Sequence, residues 1–336
     1  MKATVKFGKN GPKNLIWRPF CGDPSTRLDV WLCARSDTAK GHIVASDPFK
    51  TAVEHCTSNA QASATWLLWS RAMRVVDLDR DMSDVIPTSM SRDSEYLFER
   101  MTLETIDAAL PGPGQRILDV ASGVGQDTIA MAMRGANALG AEPSQRMIGM
   151  ARMFAEDKKI ETPSWVQCWS DHLPFATGSF DASICKGAMD HFDRPELAIA
   201  EMARVTAIDG RVVLAIANFE SLSCRVGRAL DDFRRDVLGI PVIRDRRGYD
   251  APSDHFTRYE VNLIREQAGR HLIIDEFRGV SVGWGMPGWA GFLQKLPQGL
   301  ALRCVQAFDA LARFAPVLAD VIVVVGRPRR SANTSA

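Results

Sequence analysis

Short apolar runs rich in branched side chains alternate along this chain with longer segments whose apolar residues recur at the helical period. The apolar runs lie at 117–120, 137–141, 165–169, 182–185, 211–216, 271–277 and 320–326. The helical segments lie at 60–76, 91–110, 126–133, 144–154, 195–205, 253–269 and 300–314. Strands that alternate with helices in this way predict an α/β fold with a largely parallel sheet.

The first strand leads into a glycine-containing turn that opens a helix. Asp119 stands at the end of the strand, and Gly123 and Gly125 can adopt positive φ and let a ligand approach the backbone. A dinucleotide-binding turn would carry a third glycine where Thr128 stands, and Asp127 places a negative charge where a pyrophosphate would bind. The turn therefore favours a ligand without phosphates, although an ordinary βα turn has the same outline.

Further motifs follow this turn in order. Glu142 ends the second strand, about twenty residues after the turn, where a carboxylate can bind two ribose hydroxyls. Leu-Pro-Phe at 173–175, Gly-Ser-Phe-Asp at 178–181 and Glu-Met-Ala-Arg-Val at 201–205 come next. Ala121 stands in place of the first glycine of the turn. Together, these motifs resemble those of the class I S-adenosylmethionine (SAM) dependent methyltransferases, in particular the type 11 and ubiquinone/menaquinone C-methyltransferase group. The resemblance implies a doubly wound, mostly parallel, seven-stranded Rossmann-like sheet with helical cap insertions.

The resemblance also implies SAM as the cofactor. The implied cofactor-binding residues are Tyr96, Asp119, Ala121, Gly123, Gly125, Glu142, Pro143, Ser170, Asp171 and Lys186. Asp119 would hold the amino group or a water, Glu142 the ribose, and Pro143 one face of the adenine. The family's acid for the adenine amine is replaced here by Trp169, so one of the next two residues is expected to supply that contact. Tyr96 either reaches the methionine end of SAM or is a core-facing residue of its helix.

Methyl transfer from a sulfonium is an in-line displacement that needs a base only if the nucleophile must lose a proton. His191, just after the fourth strand, is the candidate catalytic residue, and the alternative is a structural histidine hydrogen-bonded beneath the loop. His255 and Tyr259 are further candidates. Neighbouring residues rarely face one another, so Asp190 is not expected to orient His191. The Lys186 side chain is expected to point away from the sulfonium, because like charges repel.

A glycine-rich aromatic segment near the C-terminus suggests an acceptor pocket. Trp284, Met286, Trp289 and Phe292 either line such a pocket or pack the extra helices on the sheet. We expect a small, partly apolar or lipid-like acceptor that is methylated on oxygen or carbon. Two alternatives stay open, namely a non-catalytic SAM-binding or assembly subunit and an NAD-dependent oxidoreductase.

The chain is expected to divide into an extension, a core, a cap and a final strand. These parts cover residues 1–58 for the N-terminal extension, 59–217 for the N-terminal helices and SAM-binding core, 218–316 for the cap with the sixth strand, and 317–336 for the last strand and tail. The extension shows no clear period, which favours a poorly ordered segment. Its acidic residues argue against a mitochondrial-type presequence.

Composition excludes several classes of partner. The 336 residues carry a formal net charge of +1 without a basic stripe, so no nucleic acid is expected. The 7 cysteines include no Cys-x-x-Cys pair, so no metal site is expected, and their odd number favours a reducing cytoplasm. No apolar run reaches membrane-spanning length, and the sequence leaves the oligomeric state open.

Overall fold

A twisted sheet with helices on both faces forms the body of the protein in a computed structural model, which describes residues 91–160, 163–240 and 255–329. The strands are β1 Arg116–Val120, β2 Asn137–Glu142, β3 Ser164–Gln167, β4 Phe180–Lys186, β5 Thr206–Ala217, β6 Leu272–Val280 and β7 Val321–Pro328. They form one seven-stranded sheet in the order β3-β2-β1-β4-β5-β7-β6. The extension at 1–58 and the helix expected at 60–76 lie outside the described residues.

The direction of the strands agrees with the sequence expectation. The first five strands pair in parallel, and β7 pairs antiparallel with both β5 and β6. Parallel neighbours need crossover connections, and the helices between the strands supply them. The predicted doubly wound, mostly parallel α/β sheet is confirmed.

Helices cover both faces of the sheet. They are α1 Arg92–Ala109, α2 Gln126–Met133, α3 Gln145–Asp157, α4 Pro195–Val205, α5 Leu222–Asp236, α6 Val261–His271, α7 Trp289–Lys295 and α8 Gln298–Phe314. Side chains alternate along β1, so that Ile117 packs in the core beneath α1 and α2, whereas Leu118 and Val120 pack in the core beneath α4 and α6. Because both faces are buried, the register of β1 is fixed, and so is the position at which the chain leaves the strand.

One expectation about the cap is wrong in detail, and helix α7 of the cap was missed. The helix expected from residue 253 begins only at Val261, because the N–H groups of Phe256 and Thr257 donate to the Asp190 carbonyl oxygen at 2.7 and 3.3 Å. These bonds hold the stretch before Val261 against the turn after β4. Helix α7 was not predicted, because it is short and Gly288, with φ of 80°, immediately precedes it.

Helix α4 anchors the loop that follows β3. Glu201 Oε2 accepts the Leu173 N–H at 2.9 Å, and Arg204 donates to the carbonyl oxygens of Leu173 and Phe175 at 2.8 and 2.7 Å. Glu201 and Arg204 also form an ion pair at 2.7 Å. The acid and the arginine of the 201–205 motif therefore hold the 173–175 motif in place, which fixes the loop between β3 and β4.

Asp320, immediately before β7, joins the cap to the sheet. Its carboxylate accepts the Ser223 hydroxyl at 2.7 Å and the Trp284 N–H at 2.9 Å. Burial raises the pKa of Asp320 to about 6, against the opposite effect of the Trp284 N–H and nearby serine hydroxyls. One buried carboxylate therefore links α5, the segment after β6 and the start of β7.

Gly140 of β2 makes room for an aromatic side chain of the neighbouring strand. It pairs with Trp165 of β3, and a Cβ at position 140 would lie 2.4 Å from Trp165 Cδ1 and 2.7 Å from Ser122 Oγ. The indole thus occupies the space that any side chain at position 140 would need. This packing lies directly beneath the turn after β1, to which Ser122 belongs.

We expect the stability contributed by Asp320 to fall as the pH rises toward 6. Its pKa is higher in the folded state than the ordinary value of about 3.9, so the folded state binds more protons between these two values. The contribution is therefore complete below the ordinary carboxyl pKa and declines by up to about 3 kcal/mol as the pH passes the folded pKa. Denaturant unfolding of the parent and of Asp320→Asn across this range measures the difference, and a difference independent of pH contradicts the assignment.

We also expect Gly140→Ala to lower the free energy of unfolding by about 1–3 kcal/mol, because the added methyl group overpacks the site against Trp165. Gly149→Ala in α3 is the matched control, since a Cβ there meets nothing within 4 Å. Alanine is favoured over glycine inside a helix by about 0.5–1 kcal/mol, so the control should be neutral or stabilised. An equal loss of stability in Gly140→Ala and Gly149→Ala, measured by thermal unfolding, would contradict the explanation by packing against Trp165.

Candidate functional site

A buried carboxylate ties together the ends of β1 and β2. Glu142 Oε2 accepts the Gly123 N–H at 2.9 Å, and Oε1 accepts the Ser144 N–H at 3.0 Å. Burial raises the pKa of Glu142, and the two N–H groups oppose that rise by stabilising the ionised form. The carboxylate nominated for the ribose is thus held directly beside the glycine turn.

The turn after β1 uses left-handed backbone at Ala121, Gly123 and Gly125, with φ of 57°, 54° and 74°. A Cβ at Gly125 would lie 2.8 Å from the Ala151 Cβ and 2.9 Å from Trp165, so packing as well as backbone conformation demands glycine there. A Cβ at Gly123 would meet no atom within 4 Å. The turn therefore leaves open space above Gly123, where a ligand can approach the backbone.

Two acids and one lysine meet where α2 begins. Asp119 is buried and accepts the Thr128 hydroxyl at 2.6 Å. Its pKa is raised, first by burial and then by the nearby charge of Asp127. The Lys186 ammonium donates to Asp127 Oδ1 at 2.7 Å and to the Thr102 hydroxyl of α1 at 2.6 Å. The contact between Thr102 and Lys186 could not be predicted from the sequence, because a threonine in an amphipathic helix does not indicate which group its hydroxyl will contact.

The loops after β2 and β3 carry the residues nominated for the adenine. Asp171 Oδ2 lies 2.6 Å from a guanidinium nitrogen of Arg194, and this ion pair leaves little of the aspartate exposed. Trp169, Ser170 and Pro143 are half-buried. The ion pair was not foreseen from the sequence, since Arg194 belongs to no motif, and the adenine contact stays a prediction.

Tyr96 lies on a different part of α1 from the lysine contact. Its ring packs with Leu293, Ala301 and Val305 of α7 and α8. Burial, and next the charge of Asp309, raise the pKa of Tyr96 to about 12. These contacts match the alternative of a core-facing tyrosine with a polar partner, and a contact with the cofactor stays a prediction.

The turn after β4 brings histidines from two parts of the chain together. His255 Nδ1 lies 2.8 Å from Asp190 Oδ2, and the rings of His191 and His255 meet edge to face with centroids 4.3 Å apart. Asp190 is buried, whereas His191 is exposed. Tyr259 is fully buried and donates its hydroxyl to Gln267 at 3.0 Å, so it does not offer a base to a bound acceptor. The catalytic role nominated for His191 stays a prediction.

The aromatic segment nominated for the acceptor is divided between two environments. The Trp284 indole N–H donates to the Ser94 hydroxyl of α1 at 3.0 Å. Trp289 packs against Phe292 and Phe308, with ring centroids 5.8 and 4.8 Å away. Gly283, Gly285 and Gly288 all have positive φ. These contacts match the packing alternative for Trp289, while Trp284 faces α1.

Because Ala121 stands in the left-handed region, we expect Ala121→Gly to raise the free energy of unfolding by up to about 1 kcal/mol. The left-handed penalty of about 1–2 kcal/mol is relieved, and part of that gain is offset by the larger unfolded-state entropy of glycine, about 0.5–1 kcal/mol. Ala130→Gly, inside α2, is the control and should destabilise. Calorimetric unfolding of both variants tests this, and a loss of stability at position 121 contradicts it.

No helix in the parts of the chain that the structure describes is long and apolar enough to cross a membrane.

Comparison with known proteins gives one match to a family and several to individual proteins. Residues 118–214 match the family model described as "Methyltransferase domain". An uncharacterized methyltransferase, YcgJ of Bacillus subtilis, is 33% identical over 99 residues, which cover 30% of this chain and 39% of YcgJ. A demethylmenaquinone methyltransferase of Clavibacter sepedonicus is 33% identical over 173 residues, which cover 51% of this chain and 61% of the relative. The chain thus spans less than two thirds of either relative.

Among solved structures, the crystal structure of YcgJ is 18% identical to this chain, with a TM-score of 0.46, and the match covers 69% of this chain and 99% of YcgJ. The family match covers the stretch from β1 to β5, which contains the glycine turn, Glu142 and Lys186. Residues 118–214 of this chain are thus similar to the type 11 methyltransferase domains.

Proposed function

We propose that the chain is a SAM-dependent methyltransferase that transfers a methyl group to oxygen or carbon of a small, partly apolar or lipid-like acceptor. The observation that carries this proposal is the buried Glu142 carboxylate fixed beside the open face of Gly123. The methyltransferase domain match supports the reaction. Relatives named demethylmenaquinone methyltransferase support a lipid-like acceptor.

The hydrogen bonds of Glu142 leave capacity for a ribose. An ionised carboxylate offers about four lone-pair sites, and each oxygen here accepts one backbone N–H. Each oxygen can therefore accept one further bond, which suits two vicinal hydroxyl groups. The N–H groups of Gly123 and Ser144 keep the carboxylate oriented for this before any ligand arrives.

The charges at the start of α2 favour SAM over a dinucleotide. Asp127 lies in the first turn of α2, Asp119 lies buried behind it, and the ammonium that meets Asp127 belongs to Lys186. A pyrophosphate at this helix terminus would lie against the Asp127 carboxylate, and the Lys186 ammonium is already engaged with that carboxylate, which makes the site unfavourable for a phosphate group. SAM carries no phosphate, and its sulfonium is a cation.

We propose that the acceptor binds above the end of β4, between α1, the turn Met189–His191 and the segment 284–289. Phe98 of α1 is 44% exposed, and its ring lies 6.5 Å from that of Trp284, so apolar surface borders this region. SAM supplies an activated methyl group, and the residues of the chain hold the acceptor in line with it and exclude water. His191 is the exposed polar side chain of the turn, and we retain it as the candidate catalytic residue.

Titration calorimetry tests cofactor choice. The parent should bind SAM and show no binding of NAD. Glu142→Ala should weaken SAM binding about 10- to 100-fold, equivalent to about 1–3 kcal/mol, because hydrogen bonds to a charged group are lost. Glu156→Gln is the matched control, since this exposed acid of α3 should leave the affinity unchanged.

Tight binding of NAD without binding of SAM would overturn the proposal in favour of an oxidoreductase. Unchanged SAM affinity in Glu142→Ala, in protein shown to be folded, would exclude this carboxylate as the ribose ligand. Conversion of SAM to S-adenosylhomocysteine with polar and lipid fractions of a cell extract then separates an enzyme from a SAM-binding assembly subunit. Persistent binding without turnover supports the assembly subunit.

A further inference from the structure

Three metal-ligating side chains lie together at the end of β4, outside the set nominated for the cofactor. They are Asp190, His191 and His255, whose ligand atoms all lie within 4.8 Å of one another. Asp190 and His191 come from the turn after β4, and His255 comes from the cap, just before α6. The fold therefore assembles this cluster from two segments that are distant in the sequence.

Backbone hydrogen bonds hold the two segments in register. The Asp190 carbonyl oxygen accepts the N–H groups of Phe256 and Thr257 at 2.7 and 3.3 Å, and the His191 N–H donates to the Ala188 carbonyl oxygen at 3.0 Å. The His255 side chain is 16% exposed and its Nδ1 lies 2.8 Å from Asp190 Oδ2. Two of the three ligands are therefore fixed before any ion binds, which reduces the ordering cost of binding.

Two imidazoles and one carboxylate form a ligand set that divalent transition ions favour, and three protein ligands leave positions open for water or substrate. Ligand bonds of about 2.0–2.2 Å bring the ligand atoms of one ion within roughly 4 Å of one another. Binding of one ion by all three ligands would require a shift of the exposed His191 side chain to close the remaining gap. The buried carboxylate of Asp190 adds the negative charge that such an ion requires.

We propose that Asp190, His191 and His255 bind a divalent transition-metal ion of the zinc or cobalt type. Imidazole ligands favour such ions over magnesium or calcium, which prefer all-oxygen sites. The sequence expectation of no metal site rested on cysteine spacing, which does not report on histidines brought together by folding.

The chemical role of this ion rests on the proposed function as a methyltransferase. An ion at this place would bind and polarise an acceptor oxygen above the end of β4. His191 would then act on the acceptor through the ion, because a ring nitrogen bound to a metal does not accept a proton. Asp190 and His255 would be positioning residues for the same ion.

The test uses the full chain, freed of metal by a chelator and dialysed, with Zn²⁺ in titration calorimetry and Co²⁺ in visible absorption. We expect one equivalent of Zn²⁺ to bind and the Co²⁺ complex to show ligand-field bands of a nitrogen and oxygen site. His191→Gln and His255→Gln should each weaken Zn²⁺ binding at least tenfold. His191 is exposed, so its variant should fold even if the buried Asp190→Asn variant does not.

Two controls separate this cluster from other histidines. His172→Gln alters an exposed histidine of the loop after β3, and a joint His42→Gln and His55→Gln variant alters the histidines outside the described residues. Both should bind Zn²⁺ as the parent does. Absence of Zn²⁺ binding, or binding unaffected by His191→Gln and His255→Gln, overturns the proposal. SAM affinity is measured separately in chelator, so failure of the metal site and failure of the cofactor assignment are distinguishable.

Discussion

The pairing of the Glu142 carboxylate with two backbone N–H groups is the constraint on which the candidate cofactor site depends. A buried carboxylate is costly unless it is hydrogen-bonded, and the donors here come from the turn after β1 and from the start of α3. The turn must therefore bring the Gly123 N–H back toward β2. Left-handed backbone at Ala121, Gly123 and Gly125 accomplishes this within a few residues, at the cost of strain at the alanine.

Elements with a local signal could be predicted from the sequence. The run of β7 is apolar because its side chains enter the cores on both faces of the sheet, and Ser144 caps α3 by accepting the Met147 N–H at 3.3 Å. The motif residues Glu201 and Arg204 indicated the family, and in the structure they clamp the loop after β3.

What the sequence could not provide is the identity of partners distant along the chain. Asp171 was nominated for the adenine, but its carboxylate meets Arg194, and Tyr96 was considered for the cofactor, but it packs near Asp309. Residue type and spacing define what a side chain can do, whereas the partner is decided by tertiary packing. For the same reason, the contact between Asp190 and a histidine of the cap had no signal in the sequence.

The failed helix prediction and the histidine cluster have one cause. Phe256 and Thr257 bond to the Asp190 carbonyl oxygen, so the residues before Val261 run along the turn after β4 instead of joining α6. That irregular stretch carries His255 to Asp190, where a continuous helix would have placed its side chain by the helical period alone. The insertion after β5 therefore brings the His255 imidazole to the carboxyl end of the strands, where the cofactor is proposed to bind. Departures from a regular local pattern concentrate at functional sites, which agrees with the metal site that we propose for this stretch of the cap.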